Sequence, residues 1–453
     1  MIGYVLILFA KELGPAMNRS SRRTRVFQLA TETLEGRTVL SLQAPYIQFV
    51  HLAIFGTLGS QIARPNTPVA PFAATSKPTF FDPSVTILGG TRMAFGTSDY
   101  IAPFARIDAR NASLVVGSGT TIQDNATIVA NPRKLPKNPA LIIGDNVFIG
   151  PGATVLGPGT IGAPNGAAVS IGANAVVDTA VIQPGAQVGA MARVEPGIVI
   201  ATGFRVLPGA DVRTQAEASD PALGKVAKLT GTDATLTQIL SDNTLLATGY
   251  TALFQGNSAT GANPGTTATT VFNGSLAPVE GSSPSPSVSF ATTASPKYFA
   301  PGQNRTRAYT SPFFGFRSIG SVTYSNDTPF AIQKHVGFGT SIRSDEDLPM
   351  TLGTVNKIGK FVTIHGFRGG KITTGTNLTV GGRVVLTANS SGNLALGKNV
   401  NVGSSSVLLA SSIGDGVTIG QGSYIANSTI AANTVIPAGS ILINNKIVGT
   451  VGY

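Results

Sequence analysis

Between Ile182 and Val212 a large apolar residue returns at every sixth position: Ile182, Val188, Val194, Ile200, Val206 and Val212. Pro-Gly or a nearby Gly punctuates the units between them. An amphipathic helix brings its apolar stripe round about every 3.6 residues and a half-buried strand about every 2, so neither alone gives this period. A short strand followed by a tight turn, repeated, does give it, as in a hexapeptide β-helix. The same beat runs through Ile143, Ile149, Val155 and Ile161. It returns at Leu396, Val402 and Leu408, then at Ile413, Ile419 and Ile425, then at Ile430, Ile436 and Leu442, with shorter steps marking slips at the turns. A β-meander with Gly turns would not hold one period over so many units. The pattern therefore predicts an all-β solenoid of two left-handed parallel β-helix blocks, a known exception to right-handed crossovers.

Segments without the beat set the boundaries. Residues 1–41 read as an N-terminal export or sorting segment, and 42–78 as a linker or mature N-terminus. Residues 79–257 form the first block. Its end reads as a flanking helix from Asp242 as N-cap to Gly256 as stop, with Leu245, Leu246, Tyr250, Leu253 and Phe254 on one face. Residues 258–297 are Ser, Thr, Gly, Pro and Ala with few large apolar side chains, a linker by composition. Residues 298–453 form the second block.

Length and composition agree with this reading. A chain of 453 residues is too long for one ordinary core, but a solenoid packs each coil only on its neighbours. The 54 Gly and 28 Pro, with only 12% charged residues, become turn residues once the period is seen. Cysteine is absent, so there is no disulfide framework and no thiolate ligand. The net charge of +11 is spread thinly, without a basic block interleaved with aromatics beyond the N-terminal segment, which argues against a nucleic-acid partner.

Residues 2–10 are apolar but too short to span a bilayer, and their positive charges follow rather than precede them. A second methionine, Met17, offers an alternative start to Met1. Downstream, Leu34-Glu35-Gly36-Arg37-Thr38-Val39-Leu40-Ser41 resembles the sorting core Leu-Glu-x-Arg-x-Leu-Leu-Ser of some bacterial extracytoplasmic proteins, with Val39 for the first Leu. That resemblance implies a bacterial protein that is secreted or held in the cell envelope, with an envelope partner and no transmembrane anchor.

Both blocks resemble the γ-class carbonic anhydrases and their hexapeptide-repeat relatives. In the first block, Thr121-Ile122-Gln123-Asp124-Asn125 is similar to the family's Asn-Val-Gln-Asp-Gly stretch. The segment from Pro208 to Ala218 resembles the closing coil, and Leu246-Ala-Thr-Gly-Tyr250 the C-terminal helix that packs outside the prism. In the second block, Ile342 to Gly366 lines up without a gap on the family segment that runs from Ile-Arg-Ser-Asp-Glu to the first zinc histidine. Arg343, Asp345, Glu346, Pro349, Gly353 and His365 fall on matching places. The resemblance implies a homotrimer, or a pseudo-trimeric assembly of the two blocks. It also implies site residues Arg343, Asp345 and Glu346, with His365 as metal ligand.

Hydration of carbon dioxide on zinc needs three neutral imidazoles and an open fourth position. The resemblance places one histidine after the Gln-Asp stretch and two more on the next coil. In the first block those places read Val129, Pro151 and Leu156, and the supporting Arg-x-Asp pair is reversed as Asp108-x-Arg110. In the second block His365 holds the first place, Ala388 and Asn393 the other two, and Gly359-Lys360 replaces Gln-Asp. The chain has three histidines, His51, His335 and His365. His51, among apolar residues, reads as packed; copies of His335 or His365 facing a trimer axis are a second route to a zinc site. Ligand counting argues against a zinc cofactor. The sequence thus points to a carbonic-anhydrase-like, non-catalytic trimeric scaffold or binding module. The alternatives are an active carbonic anhydrase with an altered site in the second block, and a hexapeptide-repeat transferase.

Overall fold

A computed structural model describes residues 30–34, 37–41, 63–64, 79–82, 84–130, 140–254, 308–309, 316–320, 322–325, 332–346 and 348–452. The expectations for residues 1–29 and 42–62, including Met17 and His51, and for the linker 258–297 lie outside these residues. Met1–His51 and Leu52–Tyr453 are separate compact units. In the first unit, Ala30–Leu34 and Arg37–Ser41 pair antiparallel with Leu34 opposite Arg37. Of the segment resembling a sorting core, Leu34 ends one of these strands and Arg37–Ser41 form the other.

The second unit is a parallel β-solenoid of about 13 turns, left-handed as the hexapeptide period predicts. Every residue on the six-residue beat named above is buried, from Ile143 and Ile200 at 0% exposure to Leu442 at 6%. The coil explains this. Each short strand sends one apolar side chain into the prism, and the turn brings the chain round to the next face. Two prisms result, each built from three sheets.

In the first prism, one sheet includes Phe80–Phe81, Tyr100–Ile101, Thr121–Ile122, Val147–Ile149, Val169–Ile171, Gln187–Val188 and Phe204–Val206. The next includes Thr86–Leu88, Arg106–Asp108, Thr127–Val129, Thr154–Leu156, Val176–Asp178, Arg193–Val194 and Asp211–Val212. The turns joining these two sheets stack into one long edge, carrying Asp82, Asp124, Asn125, Asn174, Met191 and Gly209. The prism closes on the short helix Gln215–Ser219. There Thr214 and Glu217 form a reciprocal capping box that satisfies two orphan backbone donors.

In the second prism, one sheet runs through Phe316–Gly320, Thr340–Ser344, Thr363–Gly366, Val385–Ala388, Val407–Leu409, Tyr424–Ala426 and Ser440–Ile443. Its outer face receives the edge of the first prism, coil against coil. Asp82 meets Arg317 at 2.6 Å, Asp124 meets Arg343 at 2.9 Å, and the Asn125 amide donates to Thr363 Oγ1 at 3.1 Å. Farther along, the Asn174 amide donates to the Arg383 carbonyl at 3.0 Å. Met191 is buried in an apolar cluster with Val385, Val407, Tyr424, Ala426 and Ile441. Burying each large apolar side chain contributes about 1.5–3 kcal/mol over leaving it exposed. At the last coil the Gly452 N–H donates to the Gly209 carbonyl at 2.9 Å. Gly209 has φ 68°, and a Cβ there would sit 2.5 Å from Ile441 Cδ1, so glycine suits both the left-handed turn and the close approach of the Ile441 side chain.

Two sequence expectations need correction. The flanking helix spans Ala234–Phe254, starting well before Asp242. Asp233 caps it, accepting from Leu236 N at 3.0 Å, and Leu236 and Leu240 are buried under its first turns. Asp242 is a buried mid-helix residue whose carboxylate is held by Arg368 at 2.7 Å. The helix packs on the Phe80–Phe81, Tyr100–Ile101 and Val147–Ile149 strands, outside the prism as the resemblance implies. The second correction concerns register. The residue stacked on His365 in the next coil is Thr387, while Ala388 is paired with Gly366. Ala388 is buried in the prism core and Asn393 is exposed, its Oδ1 accepting from Lys371 N at 2.9 Å, so neither stands at the His365 site. Side chains alternate faces along a strand, so a one-residue slip turns an outward position inward.

Candidate functional site at the seam between the prisms

The residues that resemble the carbonic-anhydrase site come together, but from both prisms of one chain. The edge of the first prism supplies Gln123 and Asp124; the sheet of the second supplies Ser341, Arg343 and His365, followed by Asp345 and Glu346. Arg343 pairs with His365 across adjacent strands. Alternation along Thr340–Ser344 puts Ile342 into the core and turns Ser341 and Arg343 outward, onto the seam.

Arg343 is the centre of the cluster. Its Nη1 donates to Asp124 Oδ2 at 2.9 Å, and its Nη2 and Nε reach Asp345 Oδ2 at 3.3 and 3.4 Å. The guanidinium lies 5.1 Å from the ring centroid of Tyr100, a cation–π distance. Asp124 also accepts from Ser341 through Oδ1 at 2.5 Å. Gln123 extends the network to the helix, donating from Nε2 to Asn243 Oδ1 at 3.2 Å. Arg343, Asp124, Asp345, Glu346 and His365 are all 0% exposed. A charge removed from water at such a site costs several kcal/mol unless paired, so the Asp124–Arg343–Asp345 arrangement is what makes this burial tolerable.

His365 faces the same two aspartates and Glu346. Its Nε2 lies 3.2 Å from Glu346 Oε1 and 3.9 Å from Asp345 Oδ1, and its Nδ1 lies 3.9 Å from Asp124 Oδ2. The ring stacks at a tilt on Phe367, centroids 4.0 Å apart. Burial, with the neighbouring Arg343 charge adding to it, pushes the imidazole down to about 3 and keeps it neutral. Burial and then the Asp345 charge push the Glu346 carboxyl well above the usual carboxylate range. Glu346 Oε2 accepts from the Arg368 N–H at 2.9 Å.

A zinc ion of the kind the resemblance implies finds the wrong donors here. A hydration site needs three imidazoles and an open position. The cluster has one imidazole and carboxylates, and each of these side chains is closed off from solvent. His335 turns its Nδ1 to the Asn356 carbonyl, 3.1 Å away, and is not part of the cluster. His365 is enclosed between the two prisms of its own chain and does not face outward to meet copies of itself. The first prism's counterpart is Asp108, whose carboxylate is bridged by Arg110 at 2.7 Å and Arg106 at 3.3 Å, beside the half-buried Val129.

Several members of the cluster carried no sequence signal of their own. Tyr100, Ser341, Asn243 and Arg368 join it only because coil stacking and the returning helix bring them together, and Asp242 looked like a helix cap. A cavity of about 600 Å³ lies farther along the seam, lined by Thr154, Asn174, Arg383, Ser405 and Gln421 among others, and shares no residue with the cluster. Among the described residues no helix is long and apolar enough to cross a membrane.

No family model matches the sequence, and no curated protein matches it. Solved structures are similar to parts of it. A hexapeptide transferase family protein from Anaplasma phagocytophilum is 20% identical, covers 39% of this chain and 95% of its own, with a TM-score of 0.26. A point mutant of perosamine N-acetyltransferase from Caulobacter crescentus, solved with CoA and GDP-perosamine, is 15% identical. It covers 29% of this chain and 54% of its own, with a TM-score of 0.20. The chain is a hexapeptide-repeat β-solenoid.

Proposed function

We propose that this solenoid is a non-catalytic scaffold or binding module of carbonic-anhydrase type, in which the place of a hydration site has become a lock between two prisms. The observation that carries the reading is the full burial of Asp124, Arg343, Asp345, Glu346 and His365 across the seam. A hydration site must admit carbon dioxide and water to its metal, whereas a lock gains from excluding water, because charge-assisted hydrogen bonds strengthen as the local dielectric falls. The junction that the resemblance puts between subunits is supplied here within one chain. That supports the pseudo-symmetric form of assembly over a simple homotrimer. Export to the bacterial envelope or beyond is part of the same reading, supported by Leu34 to Ser41 alone.

The test is a stopped-flow carbon dioxide hydration assay on full-length protein purified with and without added zinc. Hydration at the uncatalysed rate under both conditions is the expected result. Zinc-dependent hydration lost in His365→Ala would sink the reading and favour the altered-site enzyme.

A further inference from the structure

We infer that Asp345, Glu346 and His365 form a closed binding site for one first-row divalent cation, of the Mn²⁺ to Zn²⁺ series, that pins the seam between the prisms. This donor set is one imidazole with two carboxylates, and it serves structure rather than hydration.

Asp345 and Glu346 each have one oxygen held and the other turned towards His365. Asp345 Oδ2 is held by Arg343 at 3.3 Å, while Oδ1 faces His365 Nε2 at 3.9 Å. Glu346 Oε2 is held by the Arg368 N–H at 2.9 Å, while Oε1 faces His365 Nε2 at 3.2 Å. His365 turns Nδ1 towards Asp124 Oδ2 at 3.9 Å, the side on which a ligating imidazole has its orienting carboxylate. The convergent atoms all lie within 4.8 Å of one another. Donors bound at about 2.1 Å around a tetrahedral ion sit roughly 3.4 Å apart, so the Glu346–His365 spacing of 3.2 Å already fits, while Asp345 must close on its two partners.

A second observation is independent of the acids. His365 is fully buried, and neither ring nitrogen makes a hydrogen bond; Glu346 Oε1 makes none either. Polar atoms buried in this way call for a partner, and an ion is one of the partners that resolves them. Two carboxylates with an imidazole suit borderline first-row ions, and three protein donors are too few for the oxygen cage that Ca²⁺ takes.

The experiment titrates chelator-treated full-length protein with MnCl₂ and with ZnCl₂ by calorimetry, with melting curves recorded alongside. The expected result is saturable uptake of one cation per chain and a higher melting temperature, with affinity falling at least tenfold in both Glu346→Gln and His365→Gln. No saturable uptake by the wild type, or equal uptake by both variants, overturns the inference. If a variant does not fold, anomalous scattering from a wild-type crystal grown with Mn²⁺ decides. A peak between Asp345, Glu346 and His365 supports the site, and a peak elsewhere or none refutes it. Hydration activity is not a readout here, so this inference and the scaffold reading can fail separately.

Discussion

Arg343 and Asp124 lie 219 positions apart in sequence and meet at 2.9 Å with neither side chain exposed. One belongs to the sheet of the second prism and the other to the edge of the first. This pair ties the two solenoids together beyond the Asp82–Arg317 pair of their first coils, as Met191 and the apolar cluster around Ile441 do towards their last.

The helix Ala234–Phe254 is tied to the second prism through Asp242 and Arg368. Arg368 is 22% exposed and Asp242 1%, so removing the arginine leaves a nearly buried carboxylate without this cation. Arg368→Ala is expected to destabilise by about 2–4 kcal/mol, at or below the range for broken buried pairs. Hydrogen exchange should show the amides around Leu240 to Ala247 losing protection before those of the coils. Unchanged protection in that segment would contradict the tie.

Asp99 sets a pH dependence away from the seam. Burial is the main cause that raises its carboxyl well above the usual value, against hydrogen bonds from Thr120 N and Thr79. A folded-state value above the unfolded one means a contribution fully present below about 3.8 and lost as pH rises through the folded value. Asp99→Asn is therefore expected to raise stability at pH 7 relative to wild type and to leave it nearly unchanged near pH 4. Urea melts at the two pH values measure this, and a larger gain at pH 4 would reverse the assignment.

Placing histidine at Ala388 tests the register. Ala388 is in the core, so Ala388→His must fit an imidazole among close-packed aliphatic side chains. A loss of about 3 kcal/mol or more is expected, combining overpacking with an unpaired polar group. Thr387→His, on the seam-facing side of the same strand, stands beside His365. Equal melting temperatures for Ala388→His and wild type would show that the strand is read out of phase.

The coil was legible because its cause is local. Each inward side chain is followed by a turn of fixed length, so Ile143, Ile200 and Ile436 announce the prism without knowledge of what it packs against. Arg343, Asp345, Glu346 and His365 were legible as a set through resemblance, and the chain does bring them together. Their partner Asp124 was visible only as a remnant, because nothing in either block says that the edge of one seats on the face of the other. Asp242 was misread because an acid before an apolar run looks like a cap; its partner Arg368 stands 126 positions away. Ala388 was placed one residue out of phase because the Gly381-Gly382 turn does not fix how many residues it takes.

A double-mutant cycle across Asp124 and Arg343 tests the central claim that this cluster is an inter-prism lock. The variants are Asp124→Asn, Arg343→Met and their combination, followed by equilibrium urea unfolding at neutral pH. The account predicts that each single change costs about 3–5 kcal/mol, because it strands a buried charge. It also predicts that the double change costs less than the two summed, with a coupling of about 2–3 kcal/mol. Additive effects within about 0.5 kcal/mol, or single changes that leave stability untouched, would contradict it.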